Sequence, residues 1–222
     1  MLDESTAVND FDALNELVVN CPDLLEIESL IGGFNLFSVL GFEYGEIRHS
    51  NALAWLFDPK GSHGLGSSFL QRWLMTVFHE TDADSEITPV DIDCWDLLDV
   101  EIHREWKHID LLFVIEFTNR SKWIVSIENK VGTKQHGNQL RRYREMVEQS
   151  FPEADKKIYI FLTKDEEDPD DDSYICATYG QVHDCLKASR DSNLHLIGQE
   201  PRVLIDNYLR LLEEKFMNES EI

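Results

Sequence analysis

The stretch that most constrains the fold lies between Trp123 and Tyr143, with the sequence WIVSIENKVGTKQHGNQLRRY. Its first residues, Trp123 to Ile127, are β-branched or aromatic and are followed by a glycine turn, which predicts a strand buried on both faces. Because strand side chains alternate, Glu128 and Lys130 project from one face while Asn129 points the other way. A carboxylate and an ammonium at the end of a buried strand carry a desolvation cost, and by themselves they are read as a simple ion pair.

A second acidic side chain lies on a neighbouring predicted strand. The segments Trp95 to His103 and Ile109 to Phe117 read as two strands joined by a polar turn, so that the E-x-K strand is the third of a meander. In the segment IDLLFVIEF, alternate residues form an apolar face and Asp110 opens the other face. The meander can therefore bring Asp110 and Glu128 together on one face, although an aspartate at this position could also cap the turn.

Two predicted helices add polar candidates. The pattern from Asn35 to Phe57 is helical, with an interruption at Gly45, and it ends before a proline. Glu46 lies on the side of this helix that otherwise faces the core, or it is a boundary residue favoured by the helix dipole. After the E-x-K strand, a helix is predicted from Gln139 to Ser150, where Gln139 and Tyr143 are neighbours at i and i+4.

The remaining segments complete an α/β pattern of helix, three-stranded meander, helix and strand. We predict one domain over residues 1–222, with an acidic helical extension over 1–33 and a C-terminal helix over 199–222. The other predicted elements are a helix over 68–79, an irregular acidic connection over 81–93, strands over 157–163 and 174–179, and a helix over 180–189. The acidic run DEEDPDDD before the last strand reads as a solvated connection.

The charge distribution is uneven. The formal net charge is −23, which argues against indiscriminate binding to nucleic acid. Residues 1–47 contain no Lys, Arg or His, whereas residues 101–145 contain nine Lys and Arg against six acids, a local charge of +3. The E-x-K strand lies inside this basic segment.

Several classes of protein are disfavoured. No apolar run approaches the roughly 20 residues that cross a bilayer, and the first residues lack the basic and apolar regions of a signal peptide, so we expect a cytoplasmic protein with no membrane partner. The four cysteines lack C-x-x-C spacing, which disfavours a zinc site or a disulfide framework. His49 and His63 have no third ligand at a recognisable spacing and are expected to be structural.

Taken together, these motifs resemble the PD-(D/E)XK nuclease superfamily, and in particular a bacterial and phage branch that has a RecB-type Q-x-x-x-Y helix. The resemblance covers roughly residues 43–165. It is carried by EIRHSNALAWLFDP with SHGLG at 46–66, HIDLLFV at 108–114, IENK at 127–130 and QLRRY at 139–143. It implies a restriction-endonuclease-like core in a mixed central sheet flanked by helices.

The resemblance also implies a set of site residues. The catalytic candidates are Asp110, Glu128, Lys130, Glu46, Gln139 and Tyr143. The implied cofactor is Mg²⁺, for which Mn²⁺ can substitute, and its candidate ligands are Asp110, Glu128, the backbone carbonyl of Asn129 and, least securely, Glu46. The candidate contacts to the nucleic-acid backbone are Lys134, His136, Arg141 and Arg142.

Two functions remain as hypotheses. The first is a Mg²⁺-dependent nuclease whose substrate is nucleic acid, with DNA favoured over RNA. The second is a nuclease fold used as an acidic interaction or regulatory module with little activity alone. The acidic N-terminal region could dock a protein partner or cover a sheet edge. A homo-oligomer is left open, and a link to phage defence follows only from where this branch tends to occur.

Overall fold

A computed structural model of the chain describes residues 35–42, 45–80, 87–132, 137–165 and 167–217. The predicted N-terminal extension over 1–33, the candidate contacts Lys134 and His136, and residues 218–222 of the predicted C-terminal helix lie outside these residues.

A five-stranded mixed sheet forms the centre of the described part of the chain. Its strands follow one another in chain order across the sheet: β1 (Leu97–Trp106), β2 (Ile109–Phe117), β3 (Lys122–Lys130), β4 (Lys156–Thr163) and β5 (Tyr174–Thr178). The first three strands form the predicted antiparallel meander. The next two strands pair in parallel with β3 and with each other, and the helix α5 (Gln139–Ser150) makes the crossover from β3 to β4.

Helices cover both faces of the sheet, which confirms the predicted α/β class. The other helices are α1 (Leu36–Val39), α2 (Glu46–Phe57), α3 (Ser68–Glu80), α4 (Pro89–Asp93), α6 (Tyr179–Ser192) and α7 (Gln199–Leu212), followed by a π-helical turn (Glu213–Met217). Residues of α2, α3, α6 and α7 bury the larger apolar core against one face. On the other face, α5 buries Leu140, Tyr143 and Val147 against β2, β3 and β4.

The strand alternation predicted for the meander is present, and it decides which side chains meet. Leu111, Phe113 and Ile115 of β2 lie in the larger core, whereas Leu112 and Val114 lie in the core beneath α5. Each buried aliphatic or aromatic side chain of this kind stabilises the fold by about 1.5–3 kcal/mol. The meander is therefore packed on both faces, and this packing also fixes the positions of the polar residues at the ends of its strands.

Several predicted boundaries were wrong. β1 starts two residues later than predicted and continues to Trp106, since Lys107 and His108 turn the chain with φ of 50° and 75°. The predicted irregular segment over 81–93 contains the short helix α4, whose capping box joins Thr88 and Asp91. Within the described residues, the predicted C-terminal helix over 199–222 is α-helical over Gln199–Leu212 and continues as the π-helical turn over Glu213–Met217.

Two glycines in the loop between α2 and α3, Gly64 and Gly66, lead to a prediction about stability. Gly64 has φ of +79°, and a Cβ there would lie 2.6 Å from the carbonyl oxygen of Leu196, whereas Gly66 has φ of +56° with no heavy atom within 4 Å of such a Cβ. Alanine at either position costs about 1–2 kcal/mol of backbone strain. We expect Gly64→Ala to lower the free energy of unfolding by a further 1–3 kcal/mol, roughly, because of the backbone contact. Urea unfolding of both variants measures the difference, and equal losses would contradict the contact.

Candidate active site

The antiparallel register of β2 and β3 brings the two predicted acids together. Leu111 pairs with Ile127, so the next pair along the ladder is Asp110 and Glu128, which share the face covered by α5. The Asn129 backbone N–H donates a hydrogen bond of 2.8 Å to Asp110 Oδ2. Asp110 is thereby tied to the E-x-K strand through its own carboxylate.

Glu128 is the most buried of the candidate acids, with 2% of its surface exposed. Its Oε1 lies 2.9 Å from Lys130 Nζ and accepts a hydrogen bond of 2.8 Å from Gln139 Nε2. Its Oε2 is buried and has no hydrogen-bond partner among the described residues. One carboxylate oxygen is therefore held by a cation and an amide, while the other is available to a ligand.

Glu46 is the first residue of α2 and reaches the end of β3. Its Oε2 lies 3.9 Å from Lys130 Nζ, and its Oε1 accepts a hydrogen bond of 3.3 Å from the Val131 backbone N–H. Lys130 consequently lies between Glu128 and Glu46, and 11% of its side chain is exposed.

The Q-x-x-x-Y pair lies on the first turns of α5. Gln139 Nε2 donates to Tyr143 Oη at 3.1 Å as well as to Glu128, and Tyr143 is buried. Arg141 and Arg142 follow on the exposed side of the same helix. Arg141 pairs with Glu145 at 3.1 Å, whereas Arg142 lies over the Tyr143 ring, with its guanidinium carbon 5.4 Å from the ring centroid.

Burial and mutual repulsion control the protonation of the acids. Burial raises the pKa of Glu128 to about 8, and the charge of Asp110 adds to this effect while Lys130 opposes it. Burial also raises the pKa of Asp110 to about 6, against the hydrogen bond from Asn129 and the charge of Lys130. For Lys130, burial lowers the pKa, but the hydrogen bond to Glu128 and the surrounding carboxylates outweigh burial and raise it. Three acidic groups thus share one ammonium, and their negative charges repel one another when all three are ionised.

A divalent metal ion fits this arrangement in part. Within the described ranges, no group of three or more His, Cys, Asp or Glu side chains is placed to hold a metal ion. Mg²⁺ needs fewer protein ligands, because it takes one or two carboxylates and keeps several waters. The unpartnered Glu128 Oε2 and the raised pKa values of both acids mark a position where a cation would replace protons. Asp110 and Glu128 therefore fit Mg²⁺.

One polar network in the site was missed from the sequence. The side chain of Asn129 contacts Ser50 of α2 and Tyr179 of α6 on the face of the sheet opposite to Glu128. The apolar stripe of α2 includes Ser50 and could have indicated a buried partner. Tyr179 had no comparable signal, because it was predicted as the last residue of a strand and is the first residue of α6.

The sequence of the chain is similar to one protein family. The family model of the PD-(D/E)XK nuclease superfamily matches residues 34–213, a range that includes the whole sheet and every candidate site residue. No curated protein and no solved structure matches the chain. None of the helices in the described residues combines the length and the hydropathy that a membrane span requires.

Proposed function

Because the chain belongs to the PD-(D/E)XK nuclease superfamily, we propose that it is a Mg²⁺-dependent nuclease that hydrolyses phosphodiester bonds in DNA. The observation that carries this proposal is the buried cluster of Asp110, Glu128 and Lys130, in which Glu128 Oε2 has no partner among the described residues. A structural ion pair would need neither the second acid nor a buried oxygen without a partner.

Each member of the cluster has a proposed role. Asp110 and Glu128 Oε2 would hold Mg²⁺, together with the backbone carbonyl of Asn129 and, through water, Glu46. The bound ion would supply a Lewis acid for the phosphate and would lower the pKa of a bound water. Lys130 Nζ, 2.9 Å from Glu128 Oε1, would orient the attacking water and offset the negative charge that grows on the phosphate oxygens.

The helix α5 would support the acids and face the substrate. Gln139 holds Glu128 Oε1 at 2.8 Å, which leaves Oε2 as the oxygen that turns toward a cation. Arg141 and Arg142 are the proposed contacts to the phosphate backbone on the exposed side of this helix. Arg142 has no carboxylate partner among the described ion pairs, so its charge is the more available of the two.

The proposal predicts metal-dependent cleavage. Purified protein should cut linear or plasmid DNA in the presence of Mg²⁺ or Mn²⁺, and a chelator should stop the reaction, since two carboxylates without a cation repel the phosphate. Gel electrophoresis of the DNA measures cleavage, and an RNA of the same sequence tests the choice of substrate. Cleavage that continues unchanged in excess chelator would contradict the proposed mechanism.

The net charge of −23 favours a second candidate, an acidic interaction or regulatory module with little activity alone. Free DNA is repelled by such a surface outside the basic segment. A protein that fails to bind Mg²⁺ in calorimetry, and that forms a stable complex with a protein partner, would support this candidate over the nuclease.

A further inference from the structure

Asn129, the residue between the two charged members of E-x-K, is completely buried. Its amide nitrogen donates to the backbone carbonyl of Glu46 at 3.2 Å and to Ser50 Oγ at 3.1 Å. Its amide oxygen accepts a hydrogen bond of 2.7 Å from Tyr179 Oη. Both donors of the side chain are thus used on α2, and its acceptor is used on α6.

The same residue touches the proposed metal ligands through its backbone. Its N–H holds Asp110 Oδ2 at 2.8 Å, and its neighbour Glu128 supplies the buried carboxylate. Any rotation of the Asn129 peptide would move the N–H away from Asp110 and change where Glu128 points. The side chain resists such a rotation, because three hydrogen bonds fix it from the opposite face of the sheet.

Tyr179 is itself rigidly held. It is fully buried, and its ring packs against Phe216 of the π-helical turn, with centroids 4.7 Å apart, and against His49 of α2, with centroids 5.3 Å apart. A phenol fixed in this way presents its hydroxyl at one position. The hydrogen bond to Asn129 therefore couples the position of the E-x-K strand to the position of α6.

We propose that Asn129, held by Tyr179 and tied to the first turn of α2, is a positioning residue that sets the spacing of Asp110, Glu128 and Glu46 around the metal ion. This inference rests on the proposed function, and it adds the opposite face of the sheet to the site. It gives the middle residue of E-x-K a side-chain role that is separate from its backbone carbonyl. A merely structural amide would affect stability and leave the affinity for the metal ion unchanged.

The test compares two buried tyrosines. Tyr179→Phe removes only the hydroxyl that holds Asn129. The control, Tyr208→Phe, removes a hydroxyl in the same core that lies 3.1 Å from His49 Nδ1 and is not among the described hydrogen-bond partners of the Asn129 side chain. Each variant loses one buried hydrogen bond, so both should lose similar stability. We expect Tyr179→Phe to weaken Mg²⁺ binding about 10-fold, as loss of an outer partner of a metal ligand does, and Tyr208→Phe to leave it within about 2-fold.

Isothermal calorimetry with Mg²⁺ gives the affinity without relying on activity, and cleavage assays give kcat and the KM for DNA. In Tyr179→Phe we expect kcat to fall at a fixed low Mg²⁺ concentration and to recover at a high Mg²⁺ concentration. The KM for DNA should stay unchanged. Ser50→Ala, which removes another partner of Asn129, should shift Mg²⁺ binding in the same direction and serves if Tyr179→Phe does not fold.

The outcomes separate the two claims. If the unmodified protein neither binds Mg²⁺ nor cuts DNA, the proposed function fails, and this inference fails with it. If the unmodified protein does both, but Tyr179→Phe and Ser50→Ala bind Mg²⁺ as Tyr208→Phe does, the proposed function stands and the positioning role of Asn129 is overturned.

Discussion

Asp110→Asn is expected to reduce the rate of DNA cleavage by at least about 10²–10³-fold while the protein stays folded. The amide oxygen can still accept the hydrogen bond from the Asn129 backbone N–H, so the local structure should persist. What the substitution removes is a negative charge and a strong ligand for a hard cation. Calorimetry should accordingly show weaker Mg²⁺ binding. The factor by which the Mg²⁺ affinity falls should equal or exceed the factor by which the KM for DNA changes.

The control for this variant lies on the same strand and face. Glu116→Gln makes the same change from acid to amide at the other end of β2, where Glu116 forms a partly exposed ion pair with Lys122. Its cleavage rate should remain within about 2-fold of the unmodified protein, because exposed pairs contribute little. If Asp110→Asn cleaves DNA as fast as Glu116→Gln, the assignment of Asp110 as a metal ligand is wrong.

Much of the fold follows from local sequence patterns. Two-residue alternation in IDLLFVIEF and in the E-x-K strand predicts which side chains share a face, and the antiparallel meander is the simplest connection of two strands separated by a short turn. Together they allow Asp110 to lie beside Glu128, and in the structure the Asn129 backbone N–H donates a hydrogen bond to Asp110 Oδ2. Helical spacing places Gln139 and Tyr143 together in the same way, and the structure shows them hydrogen bonded.

The parts that could not be predicted depend on contacts between distant residues or on unusual backbone. Tyr179 meets Asn129 from 50 positions away, and no local pattern encodes that contact. The two-residue turn at Lys107 and His108 uses positive φ in residues other than glycine, which sequence signals do not reveal. Asp171 of the acidic run was expected to be solvated, yet it pairs with Arg144 at 2.9 Å, because helix α5 passes beside it.

The buried acids show a conflict between stability and chemistry. An ordinary core position would not hold a carboxylate whose second oxygen has no partner, because such a group destabilises the folded state whenever it is ionised. Glu128 occupies such a position, and among the described residues Lys130 and Gln139 compensate for it at Oε1. This cost is expected at a site that is complete only when a cation is bound.

Glu128→Gln should therefore make the folded protein more stable at pH 8 in the absence of Mg²⁺, although it removes a proposed catalytic group. The folded-state pKa of Glu128 is raised from its ordinary value of 4.5 to about 8, chiefly by burial. Below pH 4.5 both the folded and the unfolded states hold the proton, so the acid makes no difference there. As the pH rises from about 4.5 to 8, the unfolded state loses its proton first, and the free energy of unfolding falls.

The glutamine variant lacks this fall, so its advantage should grow with pH and reach about 1–3 kcal/mol near pH 8, or several degrees in Tm. Saturating Mg²⁺ should stabilise the unmodified protein through binding to the folded state and should leave the stability of the variant unchanged. The difference in stability between the two proteins should therefore become smaller or change sign. Thermal unfolding between pH 4.5 and 8.5, with and without Mg²⁺, measures both effects.

The matched control is Glu145→Gln, at an exposed ion pair with Arg141 on α5, which should show neither effect. A Glu128→Gln protein that is less stable at every pH would mean that Glu128 is a structural partner of Lys130, since only an acid destabilised by burial gains from losing its charge.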